Sequence, residues 1–208
     1  MEIKIEDVRR YFDTAAPRWD SRRAVQDDIL WDILDKAGIV PGCHILDVAC
    51  GTGVLFPYYL ERRPAGVTGV DLSPEMIRLA TEKYRDMRIE LLTGDVEQLK
   101  LGTYDCIVIL NALPHFADPR RLLAVLSGCL GPGGRLTVAH DQARHVIDSH
   151  HRRAAGAVSN GLPPAEKTAE WMGQYLAVDT VIDGEDRYIV SGILRKTDID
   201  LQYKTVPE

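Results

Sequence analysis

Apolar positions along the chain switch between two periods. Val8, Tyr11, Phe12 and Ala15 recur at helical spacing up to Pro17. Ile29, Leu30, Ile33 and Leu34 do the same up to Gly38, a position suited to a helix C-cap. Residues 1–37 are therefore predicted to be helical. Pro41-Gly42 then turns the chain into a short apolar run, His44 to Val48, which reads as a strand. A glycine-rich turn follows, and the spacing predicts a helix over 54–63 with Pro64 just beyond it.

From there strands and helices alternate. "GVTGVDL" reads as a strand ending in Asp71. "SPEMIRLATEKYRD" reads as a helix capped by Ser73, with Pro74 in its first turn and Met76, Ile77 and Ala80 as its buried stripe. "RIELLTGD" is a strand ending near Asp95, and "YDCIVILNAL" a strand buried on both faces. "DPRRLLAVLSGCL" is a helix opening on Asp118-Pro119, and "GPGG" (131–134) turns into the strand "RLTVAH". Residues 141–165 break the rhythm and read as an irregular or helical insertion. "AEKTAEWMGQYL" is helical again, and residues 177–196 form a β-hairpin around Gly184.

Strands alternating with helices imply a parallel sheet with right-handed crossovers. The closing hairpin adds an antiparallel edge. The expected architecture is α/β: a Rossmann-like open sheet of seven strands, mainly parallel with an antiparallel C-terminal hairpin, and helices on both faces. Residues 1–208 form a single domain, with 1–37 as an N-terminal helical lid and 141–172 as a substrate-side insertion.

Composition narrows the function. At 208 residues, 45% hydrophobic and 27% charged, the chain matches an ordinary globular domain. The net charge of −6 argues against broad nucleic-acid binding. No apolar run reaches the roughly 18 residues that span a bilayer, and "MEIKIEDVRRYF" has no signal-peptide core. Cys43, Cys50, Cys106 and Cys129 lack paired spacing. A reducing, cytoplasmic setting without membrane partners is expected.

The stretch "ILDVACGTG" carries the chemistry. A dinucleotide fingerprint needs G-x-G-x-x-G; Gly51 and Gly53 fit, but the third position is Phe56. No Gly-Lys-Ser/Thr follows, so a triphosphate loop is absent. Asp47, just before the turn, disfavours a pyrophosphate. It suits a ligand that brings a cation, as S-adenosylmethionine does. Asp71 lies 20 positions after Gly51, where a carboxylate can accept both ribose hydroxyls. Asp95 can accept from an adenine amino group, with the Val96 amide donating to a ring nitrogen. Three acids at successive strand ends line one crevice, the place where open α/β sheets bind ligands.

Together these residues resemble a family. The chain looks like the class I S-adenosylmethionine-dependent methyltransferases, in the type 11 or menaquinone/ubiquinone C-methyltransferase-like group. "ILDVACGTG", "GVDLSPEMI", "LLTGDVEQL", "YDCIVILNALPHF" and "LGPGGRLTVA" match its motifs in order, and "YFDTAAPRWD" is similar to its N-terminal box. The resemblance covers roughly residues 8–140. It implies that Ala49, Gly51 and Gly53 cradle the methionine part, that Asp71 holds the ribose with Leu72 and Met76 beside the adenine, and that Asp95 and Val96 read the adenine edge. It further implies that Asn111 faces the methionine ammonium or the reactive methyl, and that Tyr11 and Trp19 close the site. An aromatic face near a sulfonium gains about 0.5–2 kcal/mol. S-adenosyl-L-homocysteine would be the product.

The acceptor is less legible. His115, in "NALPHF", has a pKa suited to a base near neutrality. His140 ends the fifth strand. If residues from 141 on are helical, Asp141, His145 and Asp148 share one face. His140 and His145 are thus further candidates for acid–base contact, and with Asp141 and Asp148 they form an alternative site for a divalent metal. His150, His151, Arg152 and Arg153 could instead contact a substrate anion. The quinone methyltransferases carry a longer apolar region here, so a long-tailed quinone is disfavoured. The reading is a methyltransferase acting on a small-molecule acceptor by in-line transfer. The alternatives are a tRNA-modifying enzyme, with Arg144, Arg152 and Arg153 on phosphates, and a non-catalytic cofactor-binding partner subunit. A homodimer remains open.

Overall fold

A computed structural model describes residues 3–22, 26–150 and 155–195. In chain order they give α1 (Ile5–Ala15), α2 (Asp27–Lys36), β1 (His44–Val48), α3 (Phe56–Glu61), β2 (Gly66–Asp71), α4 (Pro74–Lys83) and β3 (Ile89–Thr93). Then follow β4 (Tyr104–Leu110), α5 (Pro119–Ser127), β5 (Leu130–His140), α6 (Arg144–His150), α7 (Ala165–Met172), β6 (Leu176–Asp183) and β7 (Tyr188–Leu194). The seven strands lie in the order β3-β2-β1-β4-β5-β7-β6. β1 to β5 are mutually parallel; β7 runs antiparallel to both β5 and β6. The expected seven-stranded mixed sheet is thus the one present. No helix among the described residues is long and apolar enough to cross a membrane.

The period-2 alternation of the central strands sorts residues between two core layers. Leu46 and Val48 of β1 join Ile107 and Ile109 of β4 on the face covered by α5 and α7. Ile45, Cys106, Val108 and Leu110 point to the other face, under α2, α3 and α4. β1 sends its crossover toward β2 on one side, and the chain later returns as β4 on the other. The sheet therefore changes winding direction between β1 and β4, and a crevice opens at their C-terminal ends.

Several local expectations shift. The helix after the glycine turn is confined to Phe56–Glu61, because residues 51–55 form turns and Gly53 holds a φ of 85°. The "GPGG" segment lies within β5, which starts at Leu130 and pairs with Tyr104 before a register irregularity. Ser73 does cap α4: its Oγ accepts the Met76 N–H at 3.1 Å. Phe56, in place of a third glycine, is accommodated by other glycines. A Cβ on Gly69 of β2 would lie 2.8 Å from the Phe56 ring, and one on Gly53 would lie 2.5 Å from it. The missing side chains make the space that the aromatic ring fills.

The insertion is not one helix. Asp141 precedes α6 and is tied to Asn111, Arg144 pairs with Asp183 at 2.9 Å, and Asp148 accepts the Leu162 N–H at 3.0 Å. The shared Asp141–His145–Asp148 face therefore does not form. Among the described residues, no group of three or more His, Cys, Asp or Glu is placed to hold a metal. His151, Arg152, Arg153 and the side chain of His150 lie outside the described residues.

Candidate active site

The crevice at the ends of β1 and β4 deepens into a cavity of about 830 Å³. That is at the large end of the roughly 300–1,000 Å³ range of small-molecule sites. Its lining includes Asp47, Ala49, Gly51, Asp71, Leu72, Met76, Asp95, Val96, Asn111, His115 and Trp19. These residues come from the C-terminal ends of the parallel strands and the segments that follow them, from the start of α4 and from the segment after α1, so the fold alone brings them together. Gly53 is one step outside the lining. It holds the turn: its positive φ and its contact with Phe56 leave no room for a side chain.

Asp71 organises the centre. Its two carboxylate oxygens accept the Gly51 N–H and the Ser73 N–H, each at 2.8 Å. The carboxylate thereby fixes the glycine turn against the start of α4. Burial raises its pKa from an ordinary 3.8 to about 6, against the lowering effect of those two amides. Asp95, one strand further on, accepts the Glu97 N–H at 3.0 Å. Asp47 is almost fully buried beneath the turn.

Ala49, Gly51 and Asn111 all hold positive φ values, between 56° and 57°. All three line the cavity at the strand ends, where the left-handed backbone reverses the chain's direction. The Asn111 side chain does not itself reach in: its Nδ2 donates to Asp141 Oδ1 at 2.8 Å, and the Asp141 N–H donates to its Oδ1 at 3.1 Å.

The roof comes from the N-terminal segment. Asp13 accepts the Ser73 hydroxyl proton at 2.6 Å and Asp20 accepts that of Thr52 at 2.6 Å. Lys83 forms an ion pair with Asp20. Phe12 sits over the cavity, with ring centroids 5.5 Å from Trp19 and 4.9 Å from His115. Tyr11, expected to close the site, packs edge-on against Phe12 at 5.2 Å and does not line it. The helical repeat explains the exchange: Val8 and Phe12, four residues apart, share the face of α1 that points inward. That period was visible in the sequence.

His115 is held from the insertion. Its Nδ1 lies 2.8 Å from the Val158 carbonyl and donates there, which orients the ring over the cavity. Asn160 tethers the same loop through Pro114, Phe116 and Ala117. The other two histidines lie elsewhere. His140 is buried beside Tyr188 at 5.7 Å and does not line the cavity, nor does His145 on α6. The last residue of β5 alternates away from the crevice, which strand position alone did not reveal.

The donor set fits S-adenosylmethionine. Among the described residues, seven acids line the cavity (Asp20, Asp27, Asp47, Glu61, Asp71, Asp95, Glu97), together with one lysine that is engaged by Asp20. A cationic, phosphate-free nucleoside suits that balance; a pyrophosphate does not. A Cβ on Gly51 would approach Trp19 Nε1 to 3.7 Å, so the turn lies directly under the roof.

Comparison with known proteins agrees. Residues 45–134 match a family described as a methyltransferase domain. The chain is 30% identical over 177 residues to the demethylmenaquinone methyltransferase of Renibacterium salmoninarum, covering 77% of this chain and 72% of that one. It is 28% identical to a ubiquinone biosynthesis O-methyltransferase of Coxiella burnetii, covering 64% of this chain and 61% of that one. Its fold matches magnesium protoporphyrin IX methyltransferase from Synechocystis PCC 6803, solved with S-adenosylmethionine bound. There the TM-score is 0.67 at 19% identity, covering 92% of this chain and 97% of that one. The cofactor is S-adenosylmethionine, and the chain belongs to the class I S-adenosylmethionine-dependent methyltransferases, in their menaquinone/ubiquinone-like group.

Proposed function

We propose that the chain methylates a small-molecule acceptor held in the roofed cavity, by in-line displacement. The observation that carries this reading is one cavity that joins two kinds of lining. The polar strand ends (Gly51, Asp71, Asp95) share it with the apolar Ile3, Val8, Phe12 and Phe116. A polymer such as tRNA would need an open, basic surface, whereas here α1 covers the site and Arg144 is engaged by Asp183. The quinone and porphyrin acceptors named for the relatives are likewise small molecules.

Bound in the cavity, the cofactor supplies a methyl group on a positively charged sulfur. The chain's residues do the rest. Asp71 accepts from the ribose, while Leu72 and Met76 flank the adenine and Asp95 and Val96 read its edge. Ala49, Gly51 and Asn111 present backbone groups to the methionine end. Trp19 and Phe12 exclude water and offer aromatic faces to the sulfonium. His115, through Nε2, is the base that takes a proton from the acceptor as the new bond forms. The N-terminal segment acts as the lid, and residues 141–172 support it by packing Ala155 and Val158 against Val8.

The test is a methyl-transfer screen of a metabolite extract with labelled cofactor, with and without a chelator, run beside calorimetric titration with S-adenosylmethionine. Label is expected in a low-molecular-weight product. Label only in macromolecules would overturn the small-acceptor reading.

A further inference from the structure

Asn111 sits at the switch point with a φ of 57°, a conformation that asparagine adopts more readily than most residues but still needs support. Its polar groups are nearly all spent on the β5 side. Its N–H donates to the Ala139 carbonyl at 2.9 Å. Its side-chain amide and Asp141 bond reciprocally, at 2.8 and 3.1 Å. That leaves the Asn111 carbonyl as the group available to the cavity. Asp141 itself is buried and does not line the cavity. Its own carbonyl accepts from Gln26 Nε2 at 3.5 Å, one residue before α2.

We infer that Asp141 is a positioning residue for cofactor binding: by gripping both ends of the Asn111 amide it keeps that residue left-handed and its carbonyl aimed at the ligand's ammonium. This rests on the methyltransferase reading of Asn111. Without the carboxylate, the Asn111 side chain loses the acceptor for its Nδ2 and can swing into the cavity, and the peptide is free to turn. The ends of β4 and β5 would then be linked here only by backbone donors, the Asn111 N–H to Ala139 and the residue-141 N–H to Asn111 Oδ1. Asparagine at position 141 retains an oxygen that can accept from Asn111, so it should preserve the arrangement. Glycine at 111 removes the gripped side chain while tolerating the same φ.

The experiment is titration of the full chain with S-adenosylmethionine for Asp141→Ala, Asp141→Asn, Asn111→Gly and the double variant Asn111→Gly/Asp141→Ala. Loss of the part-buried, charge-assisted hydrogen bond from Asn111 Nδ2 should weaken binding about tenfold in Asp141→Ala. Asp141→Asn should stay within about threefold of the parent, and kcat at saturating cofactor should change less than KM in Asp141→Ala. In the Asn111→Gly background, adding Asp141→Ala should have almost no effect, because the two residues act as a unit. Unchanged affinity in Asp141→Ala, or an equal loss in both backgrounds, would overturn the inference. Should Asp141→Ala not fold, Asp141→Ser is scored in the same two backgrounds. Failure of the parent chain to bind would instead refute the cofactor assignment, which separates the two outcomes.

Discussion

Asp71 makes cofactor affinity depend on pH in a way the structure sets. In the free protein its pKa is about 6, raised by burial from 3.8. Ribose hydroxyls donating to the carboxylate favour its charged form, so binding draws the pKa back down. The sign follows from linkage: cofactor binding requires the ionised form, so affinity nears its full value above about pH 7 and falls as pH drops through about 6. With a free-state pKa of about 6, roughly nine-tenths of the protein is ionised at pH 7 and one-tenth at pH 5, so the dissociation constant should rise about tenfold between them. Asp71→Asn removes the titration but leaves one oxygen where two amide donors now converge, at Gly51 and Ser73. Its affinity at pH 8 should fall by about 1.5–3 kcal/mol, the range for a hydrogen bond to a charged group, and should then be flat with pH. Isothermal titration with S-adenosylmethionine at pH 5, 6, 7 and 8, on both proteins, reads this directly. A parent curve that is flat from pH 5 to 8, or an Asp71→Asn variant that keeps the acid fall, would refute the reasoning.

Other perturbations test the remaining parts. His115→Ala should lower kcat by about 10²-fold or more while leaving the cofactor dissociation constant within a few-fold, measured by steady-state kinetics beside titration; normal turnover would remove His115 from the mechanism. Gly69→Ala forces a methyl to within 2.8 Å of Phe56, 2.9 Å of Leu91 and 3.0 Å of the Cys50 sulfur, so stability should drop by about 1–3 kcal/mol in denaturant unfolding.

The sheet and its crevice were legible because they rest on local pattern. Short apolar runs such as "YDCIVIL" and "HILDV", bounded by turn residues, mark strands buried on both faces, and glycines and acids near their C-terminal ends mark where the crevice opens. Each acid could be placed in the crevice from its position near a strand's C-terminal end: Asp47 within β1, Asp71 ending β2 and Asp95 two residues past β3. The roof was half legible: Phe12 lay in the same helical stripe as Val8, yet Tyr11 drew attention because the family box begins there. What could not be read was orientation at element ends. His140 ends β5 but alternates to the wrong face, and Asp141 looked like the start of a helix when it is Asn111's partner. Both depend on contacts distant in sequence, Asp141 with Asn111 and His140 with Tyr188, which local patterns do not carry.

The Phe56 ring lying against Gly69 also constrains how this chain could change over time. The glycine that a dinucleotide site keeps at the helix start has, in effect, been moved to the neighbouring strand. Neither position can drift alone. A smaller residue at 56 leaves a void beneath the turn, and a larger one at 69 collides with the ring. Descendants of this chain should therefore replace the two together or not at all, and a single reversion at 56 would not recover a phosphate cradle.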